Sequence, residues 1–242
     1  GLKAGNKGSW FQSVPMVGIT SKLEAKFTAG GNELEFTPVT EFVATSRRLT
    51  PHVEVRNSDL VFVGYGVVAP EYNWDDYKGV DVRGKTVVML VNDPPVIDSA
   101  TGRLDPKVFK GGAMTYYGRW TYKYEMASER GAGACLIVHE TGPAGYPAVL
   151  GSRWGLEEFD LVTPDRNASR VAFEGWLTQD AATKLLAAAG QNYATLKVAA
   201  ARRGLIPVTV AARASFSAAN TTREIASRNV VARLEGTGAR LR

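Results

Sequence analysis

Two stretches near the start of the chain alternate apolar and polar side chains. Apolar residues occupy every second position in 23–28 and again in 33–36, and Gly30 and Gly31 lie between the two stretches. Successive side chains of a strand point to opposite faces of its sheet, so each stretch predicts a strand with one buried face. The glycine pair between them predicts a β-hairpin.

Two continuous apolar runs, Thr86–Val91 and Ala134–His139, predict strands buried on both faces. The segment between them, Tyr117–Arg130, has a helical spacing of large or small apolar residues, at Trp120, Tyr124 and Ala127. If these three face the core, Arg119, Tyr122 and Lys123 lie mainly toward another side of the helix. A strand, a helix and a strand in this order predict a parallel β-α-β unit.

Two more helices are predicted, Gln179–Ala189 after an N-cap at Thr178 and Tyr193–Arg203 after an N-cap at Asn192. The remaining segments are strand-like, and Pro15 argues for an edge strand or a loop at that point. The other predicted strands are Trp10–Ile19, Phe42–Val55, Leu60–Val68, Ala172–Leu177, Leu205–Phe216 and Asn229–Leu234. The predicted fold class is α+β and strand-rich.

Composition excludes several classes of protein. The 242 residues contain one cysteine, Cys135, and two histidines, His52 and His139. Neither a disulfide framework nor a cysteine zinc cluster can form, and a histidine-rich metal site is excluded. No apolar run approaches the roughly 20 residues of a membrane helix, which argues against a membrane span.

The net charge is +5, and eight arginines but only two glutamates lie in 202–242. These arginines are spread out, and no aromatic residues alternate with them as a base-stacking platform would require. Nucleic acid is therefore not expected as a partner.

Three motifs have both a chemical and a structural interpretation. The segment Gly64–Ala69 matches a G-x-G-x-x-A nucleotide fingerprint, but two valines and Pro70 disfavour the helix that it must open, which favours glycines in a bent strand. Cys135 and His139 share a strand face, where a buried thiol and a strand-end imidazole are favoured over a nucleophile pair. Asp75, Asp76 and Glu71 could help bind a divalent ion, but turn-stabilising hydrogen bonds are favoured.

The densest aromatic patch is Ala113–Tyr124. Exposed Tyr, Trp and Arg side chains are typical of recognition surfaces. Packing beneath a long loop is the equally open alternative.

Several segments together resemble the protease-associated (PA) domain found inside bacterial zinc aminopeptidases of the transferrin-receptor and glutamate-carboxypeptidase superfamily. The segments that carry this resemblance are Gly1–Val17, Leu60–Pro70, Trp74–Lys85, Val87–Pro94, Gly112–Tyr124, Gly133–Pro147 and Ser227–Gly236. They occur in the family's order along nearly the whole chain. The family's first metal ligands, an H-x-D pair after the Asn-Val-Val-Ala segment, do not occur within these residues, so no catalytic or metal-binding residue is carried over.

The resemblance implies a PA-type β-sandwich or open barrel flanked by helices. It implies remnants of a peptidase domain at 1–20 and 227–242 around a PA insertion at 21–226, whose core is about 57–205. No cofactor is expected in this chain, and two zinc ions are expected in the parent enzyme. The implied role is a lid or an interaction module that acts on a peptide substrate beside its own catalytic domain.

Two alternatives stay open: a stand-alone peptide- or protein-binding adaptor, and an enzyme that uses Asp75, Asp76, Glu71 or His139 directly. Secretion or a periplasmic location is expected from the resemblance alone. The extended segments Ser9–Val17 and Asn229–Leu234 are expected to pair with each other or to form a homodimer, because unpaired strand edges tend to associate.

The region of Tyr116 to Lys123 is expected to face the catalytic domain and to line the substrate cleft, together with the loop Thr141–Pro147. A cation, aromatic faces and a helix N-terminus would suit a carboxylate of a peptide. The candidate rim residues are Tyr116, Tyr117, Arg119, Trp120, Lys123, His139 and Tyr146.

Overall fold

The structure, a computed structural model, describes residues 1–147 and 156–236. Its strands, in chain order, are β1 Lys3–Ala4, β2 Phe11–Ala29, β3 Asn32–Leu34, β4 Phe42–Thr45, β5 His52–Phe62, β6 Val68–Ala69, β7 Trp74–Asp75, β8 Thr86–Leu90, β9 Ala134–His139, β10 Glu158–Leu161, β11 Phe173–Thr178, β12 Val208–Val230 and β13 Ala232–Arg233. Its helices are α1 Trp120–Glu129, α2 Thr141–Ala144, α3 Gln179–Ala188 and α4 Tyr193–Ala200, and a short 3-10 turn spans Pro70–Tyr72.

One mixed sheet organises the chain. Its strands run in the order β10-β2-β12-β5-β8-β9-β11-β4, and β3 pairs with β2. The strands β5, β8, β9 and β11 are parallel neighbours, while the outer strands pair antiparallel. The predicted α+β, strand-rich class is confirmed, and so are the hairpin of β2 with β3 and the parallel β8-α1-β9 unit.

The central parallel strands are buried on both faces, as their continuous apolar sequences predicted. On one face, Val88 and Leu136 belong to a core that α3 and α4 cover, and on the other, Met89 and Ile137 pack against α1. The predicted N-caps are confirmed: the side chain of Thr178 accepts the Ala181 N–H, and that of Asn192 accepts the Thr195 N–H.

The N-terminal and C-terminal segments of the chain pair with each other, as predicted. Strand β2 pairs antiparallel with β12 from Phe11 opposite Val230 to Ala29 opposite Ala212, and β1 pairs with β13. The separate strands predicted at Leu205–Phe216 and Asn229–Leu234 were wrong in extent, because one 23-residue strand runs from within the first to the start of the second. The end of this ribbon, formed by residues 11–16 and 225–230, is largely exposed on both faces, and we call it the terminal ribbon.

The nucleotide-fingerprint segment forms a turn. Gly64 and Gly66 both have positive φ angles, and a Cβ at either position would lie 2.6 Å or less from a neighbouring side chain. The Gly66 N–H closes the turn onto the Val63 carbonyl, and the segment leads into β6 and the 3-10 turn rather than into an α-helix. The glycines are therefore structural, as expected, but they form a turn between β5 and β6 rather than a bend within one strand.

No helix in the described ranges is both long enough and apolar enough to cross a membrane.

Candidate functional site

The carboxyl ends of the parallel strands meet at one edge of the sheet, which is where α/β proteins place their ligands. Polar side chains follow two of these strands: Asn92 and Asp93 come after β8, and His139 and Glu140 end and follow β9. Asp93, His139 and Glu140 are all buried. This edge is therefore the first candidate for a functional site.

Asn92 and Asp93 fix two loops at that edge. The Asp93 carboxylate accepts hydrogen bonds from the backbone N–H and the hydroxyl of Thr115, each at 2.7 Å. The side-chain amide of Asn92 donates to the Pro143 carbonyl at 2.8 Å. The loop before α1 and the segment 141–147, which begins with α2 rather than with the expected loop, thus lie against the same pair of residues. Both therefore approach the same end of the sheet.

Tyr116 and Tyr117 lie in the loop before α1, and each is tied to a carboxylate. The Tyr116 hydroxyl donates to Glu125 at 2.5 Å, and the Tyr117 hydroxyl donates to Glu71 at 2.7 Å. The hydrogen bond to Glu71 raises the pKa of Tyr117 to about 12. Tyr116 is exposed and Tyr117 half-buried, which leaves part of this aromatic surface open to a partner.

Three of the predicted orientations in α1 were wrong. Trp120, predicted to face the core, has 46% of its surface exposed, and Tyr122 and Lys123, predicted to face elsewhere, are buried. The helix also begins at Trp120 rather than Tyr117, because Arg119 is extended and serves as its exposed N-cap. The register of α1 on the sheet thus differs from the one that apolar spacing alone indicated.

Lys123 therefore cannot lie on a rim. Its ammonium group donates to the carbonyls of Tyr65 at 2.6 Å and Asn92 at 3.1 Å. Burial lowers the pKa of Lys123 to about 8, while the nearby carboxylates of Asp76 and Asp93 act in the opposite direction. The side chain clamps α1 to two turns at the strand ends.

The Asp76 carboxylate stabilises a turn, which was the favoured interpretation. It accepts the backbone N–H groups of Tyr65 at 3.1 Å and Val67 at 3.0 Å, and the indole N–H of Trp74 at 2.7 Å. Burial raises the pKa of Asp76 to about 7, and these donors oppose that shift. Asp75 likewise accepts the backbone N–H of Tyr77.

His139 and Tyr146 lie together. Their ring centroids are 5.0 Å apart, and the centroid of the Trp176 ring lies 6.0 Å from that of the imidazole. His139 is 2% exposed, and neither ring nitrogen has a hydrogen-bond partner among the described residues. The neighbouring Glu140 is buried on the opposite face of the sheet and forms an ion pair with Lys197.

Cys135 is a buried thiol beside the sulfur of Met89, at 3.9 Å. Burial raises its pKa well above the ordinary value, which suppresses the thiolate that a nucleophile needs. The prediction of a structural cysteine is confirmed.

A cleft of about 610 Å³ opens between α1 and strand β11, and we call it the α1–β11 cleft. Its wall on the helix side carries the exposed indole of Trp120, which packs edge-on against Tyr124 at 6.0 Å. The residues that line it are Arg47, Trp120, Thr121, Tyr124, Glu125, Ser128, Glu129, Asp160, Ser169, Arg170 and Glu174. Of the predicted rim residues, Trp120 alone is in this lining.

Both arginines of the cleft are engaged by carboxylates. Arg47 contacts Glu158, Asp160 and Glu174 at 2.9–3.5 Å, and Arg170 contacts Asp160 at 2.9 Å. Burial acts to lower the pKa of Arg47, but the three carboxylates outweigh it and the pKa is raised. Burial raises the pKa of Glu174 despite this partner. The cleft floor is thus a rigid ion-pair network.

Sequence reasoning missed this network because its members come from segments far apart in the chain. One signal was available: Glu174 interrupts the otherwise apolar Ala172–Leu177 segment. A carboxylate on a buried strand requires a charged partner, since isolated buried charges are strongly disfavoured. Among the described residues, no group of three histidines, cysteines or acidic residues could hold a metal ion.

Comparisons with known proteins gave matches only among solved structures; no family model and no curated protein matches the chain. An aminopeptidase from Aneurinibacillus sp. strain AM-1 is 16% identical, with a TM-score of 0.36, over 90% of this chain and 37% of that one. Two structures of BSAP, a zinc aminopeptidase from Bacillus subtilis, are 14% and 11% identical, with TM-scores of 0.38 and 0.32, over 89% of this chain and 36% of theirs. The chain thus spans little more than a third of each neighbour's length.

The burial of His139 leads to a pH-dependent stability. Burial lowers the imidazole pKa below 6.5 in the folded chain, although Glu140 acts to raise it. The unfolded chain therefore takes up the proton first as the pH falls. The contribution of His139 to the stability of the folded chain is complete above pH 6.5 and is lost below it. One such group changes the free energy of unfolding by at most about 1.4 kcal/mol per pH unit.

We therefore expect the free energy of unfolding to fall less between pH 7 and pH 5 in His139→Gln than in the unsubstituted chain. Urea titrations at several pH values measure this difference. His52→Gln is the matched control, because His52 has an exposed side chain. If the free energy of unfolding of His139→Gln depended on pH as it does in the unsubstituted chain, His139 would not be the source of that dependence.

Proposed function

We propose that this chain is a non-catalytic domain of the protease-associated type that belongs to a zinc aminopeptidase. It would act there as a lid or as a substrate- or protein-interaction module. The resemblance of segments along nearly the whole sequence supports this role. The division at 1–20, 21–226 and 227–242, and the location outside the cytoplasm, are parts of the same proposal.

The observation that carries the proposal is the pairing of β2 with β12. The two segments that flank the α/β body run side by side over 19 residue pairs, so they enter and leave the body at the same place. This geometry suits a domain inserted into a loop of another domain, because close ends let an insertion leave its host undisturbed.

The surface of the terminal ribbon supports a neighbouring domain on that side. Phe11 and Val230 are directly opposite each other at its end, and each exposes about half or more of its surface. Contiguous exposed apolar side chains are typical of interaction sites. In the proposed parent enzyme, the catalytic domain covers this ribbon.

The reading frame beyond codon 242 tests the proposal directly. We expect it to continue into an H-x-D pair and the other ligands of a two-zinc site, and the longer protein to hydrolyse aminoacyl p-nitroanilides. A stop codon close to Arg242 would instead favour the stand-alone adaptor.

The lid role is tested with Tyr117→Ala and Arg119→Ala in that longer enzyme. A raised Michaelis constant with an unchanged turnover number would support contact with the substrate, since uniform binding would have been removed. Unchanged kinetics in both folded variants would contradict a rim role for these residues. Ile206→Ala, at a residue 77% exposed outside the candidate rim, is the control.

A further inference from the structure

One edge of strand β2 is paired over only part of its length. The other edge pairs with β12 throughout, whereas on this side β10 pairs with residues 16–19 and β3 pairs with residues 27–29. No strand in the described ranges pairs with residues 20–26 on this side, and we call this gap the β2 notch. A strand placed in the notch would continue the row that β10 and β3 form along β2.

The backbone of every second residue of β2 points into the notch. The carbonyl of Pro15 accepts the N–H of Val162 on the β10 side, and the register of β2 on β12 has no bulge. Successive residues of a strand direct their N–H and C=O groups to alternate edges, so the odd-numbered residues of β2 direct theirs to this side. The odd-numbered residues within the notch are Ser21, Leu23 and Ala25. A free edge of this kind is a template for pairing with another strand.

A cavity of about 490 Å³ lies beside the notch, and β4 contributes another part of its lining. Leu23 and Ala25 lie in the lining and pack against the core cluster that contains Phe36 and Phe42, which also line the cavity. The volume lies within the range of about 300–1,000 Å³ that is usual for ligand pockets. Inward-facing side chains of an added strand would therefore meet an apolar floor.

The outward face of β2 alternates in charge along the notch. Lys22 and Glu24 are exposed, and neither takes part in an ion pair with a described residue. Their opposite neighbours on β12, Ala219 and Ser217, carry no charge. Directly opposed residues of antiparallel strands interact, and opposite charges there stabilise the pairing. The notch therefore favours a strand with glutamate opposite Lys22 and lysine opposite Glu24.

We propose that the β2 notch binds an extended peptide segment, which joins the sheet as an antiparallel strand. Alternate apolar side chains of the segment face the cavity, and a lysine and a glutamate between them lie opposite Glu24 and Lys22. Addition of a strand to a free sheet edge is a general mode of peptide recognition, in which main-chain hydrogen bonds give affinity and pockets for alternate side chains give specificity. The notch lies outside the terminal ribbon, so this proposal and the proposed function can fail separately.

Titration of the isotope-labelled 242-residue chain with a blocked pentapeptide, followed by NMR, tests this site. The probe is acetyl-Val-Lys-Val-Glu-Val-amide, whose lysine and glutamate lie opposite Glu24 and Lys22 when its central valine lies opposite Leu23. The backbone N–H signals of Leu23 and Ala25 should shift most on binding. We expect the probe to bind about threefold or more tightly than acetyl-Val-Gln-Val-Gln-Val-amide, and this difference to shrink as salt is added.

Backbone N-methylation of the probe tests the strand pairing. In the proposed register the N–H of the central valine points toward Leu23, whereas the N–H of the lysine points away from β2. N-methylation of the central valine should therefore weaken binding about tenfold or more, because a hydrogen bond is lost and the methyl group blocks the approach. N-methylation of the lysine is the matched control and should weaken binding less. Equal affinities of the two methylated peptides would contradict the proposed pairing.

Variants locate the site. In the double variant Lys22→Gln, Glu24→Gln, the charged and the neutral pentapeptide should bind with equal affinity, and both substitutions are at exposed positions that leave the fold intact. Glu224→Gln, at an exposed residue of β12 outside the notch, is the matched control and should keep the difference. No measurable binding at millimolar peptide, or an unchanged difference in the double variant, would overturn the proposal. A dimer of the free chain that the double variant dissociates would assign the notch to a second copy and would also overturn it.

Discussion

Replacing Lys123 with methionine is expected to lower the free energy of unfolding by about 3–5 kcal/mol, the usual cost of removing one partner from a buried charged network. Methionine nearly fills the volume but leaves the carbonyls of Tyr65 and Asn92 without their donor. It also leaves the neighbouring carboxylates of Asp76 and Asp93 without the cation that compensates them. Equilibrium urea unfolding at pH 7.5, followed by circular dichroism, measures the loss.

Lys78→Met is the matched control, because Lys78 is exposed and lies in the loop before β8. It should change stability by less than about 0.5 kcal/mol, as surface substitutions usually do. If Lys123→Met were as stable as this control, the hydrogen bonds of the Lys123 ammonium group would not contribute to the stability of the fold.

The burial of Lys123 also shows where sequence reasoning reaches its limit. Lysine is almost never fully buried without partners, and here its partners are carbonyls 58 and 31 residues away in the chain. Apolar spacing accordingly assigned Trp120 to the core. The helix and both flanking strands were predictable, but the rotation of the helix depended on long-range contacts.

The terminal ribbon illustrates a second limit. Period-two alternation identified the part of β2 that buries one face, around Phe27. Between residues 221 and 230, β12 is mostly exposed on both faces, so no alternation marks it as a strand. That the two end segments pair was predicted, but the length of the pairing was not.

Some residues of the candidate site were also predictable from the sequence, and others were not. Sequence reasoning found Trp120, His139 and Tyr146 as aromatic and polar residues near loops, and the structure brings His139 and Tyr146 into contact. It did not find Arg47 or Asp160, since nothing in the local pattern links positions so far apart. The prediction of a peptide carboxylate as ligand depended partly on Lys123, whose charge lies inside the fold.

The second large effect is expected from Phe27→Ala. This substitution should lower the free energy of unfolding by about 3–5 kcal/mol, as phenylalanine-to-alanine changes in packed cores do. Phe27 is 1% exposed, and three aromatic rings surround it edge-on: Phe36 at 5.1 Å, Phe42 at 5.5 Å and Phe216 at 5.6 Å. These rings come from the hairpin region, β4 and β12, so the substitution opens a cavity where three parts of the sheet meet. The same urea titration measures the effect.

Phe159→Ala provides the contrast, because Phe159 is 51% exposed and its removal leaves no cavity. It should cost less than about 1 kcal/mol. A loss of stability below about 1 kcal/mol in Phe27→Ala would mean that the surrounding rings close over the space left by Phe27.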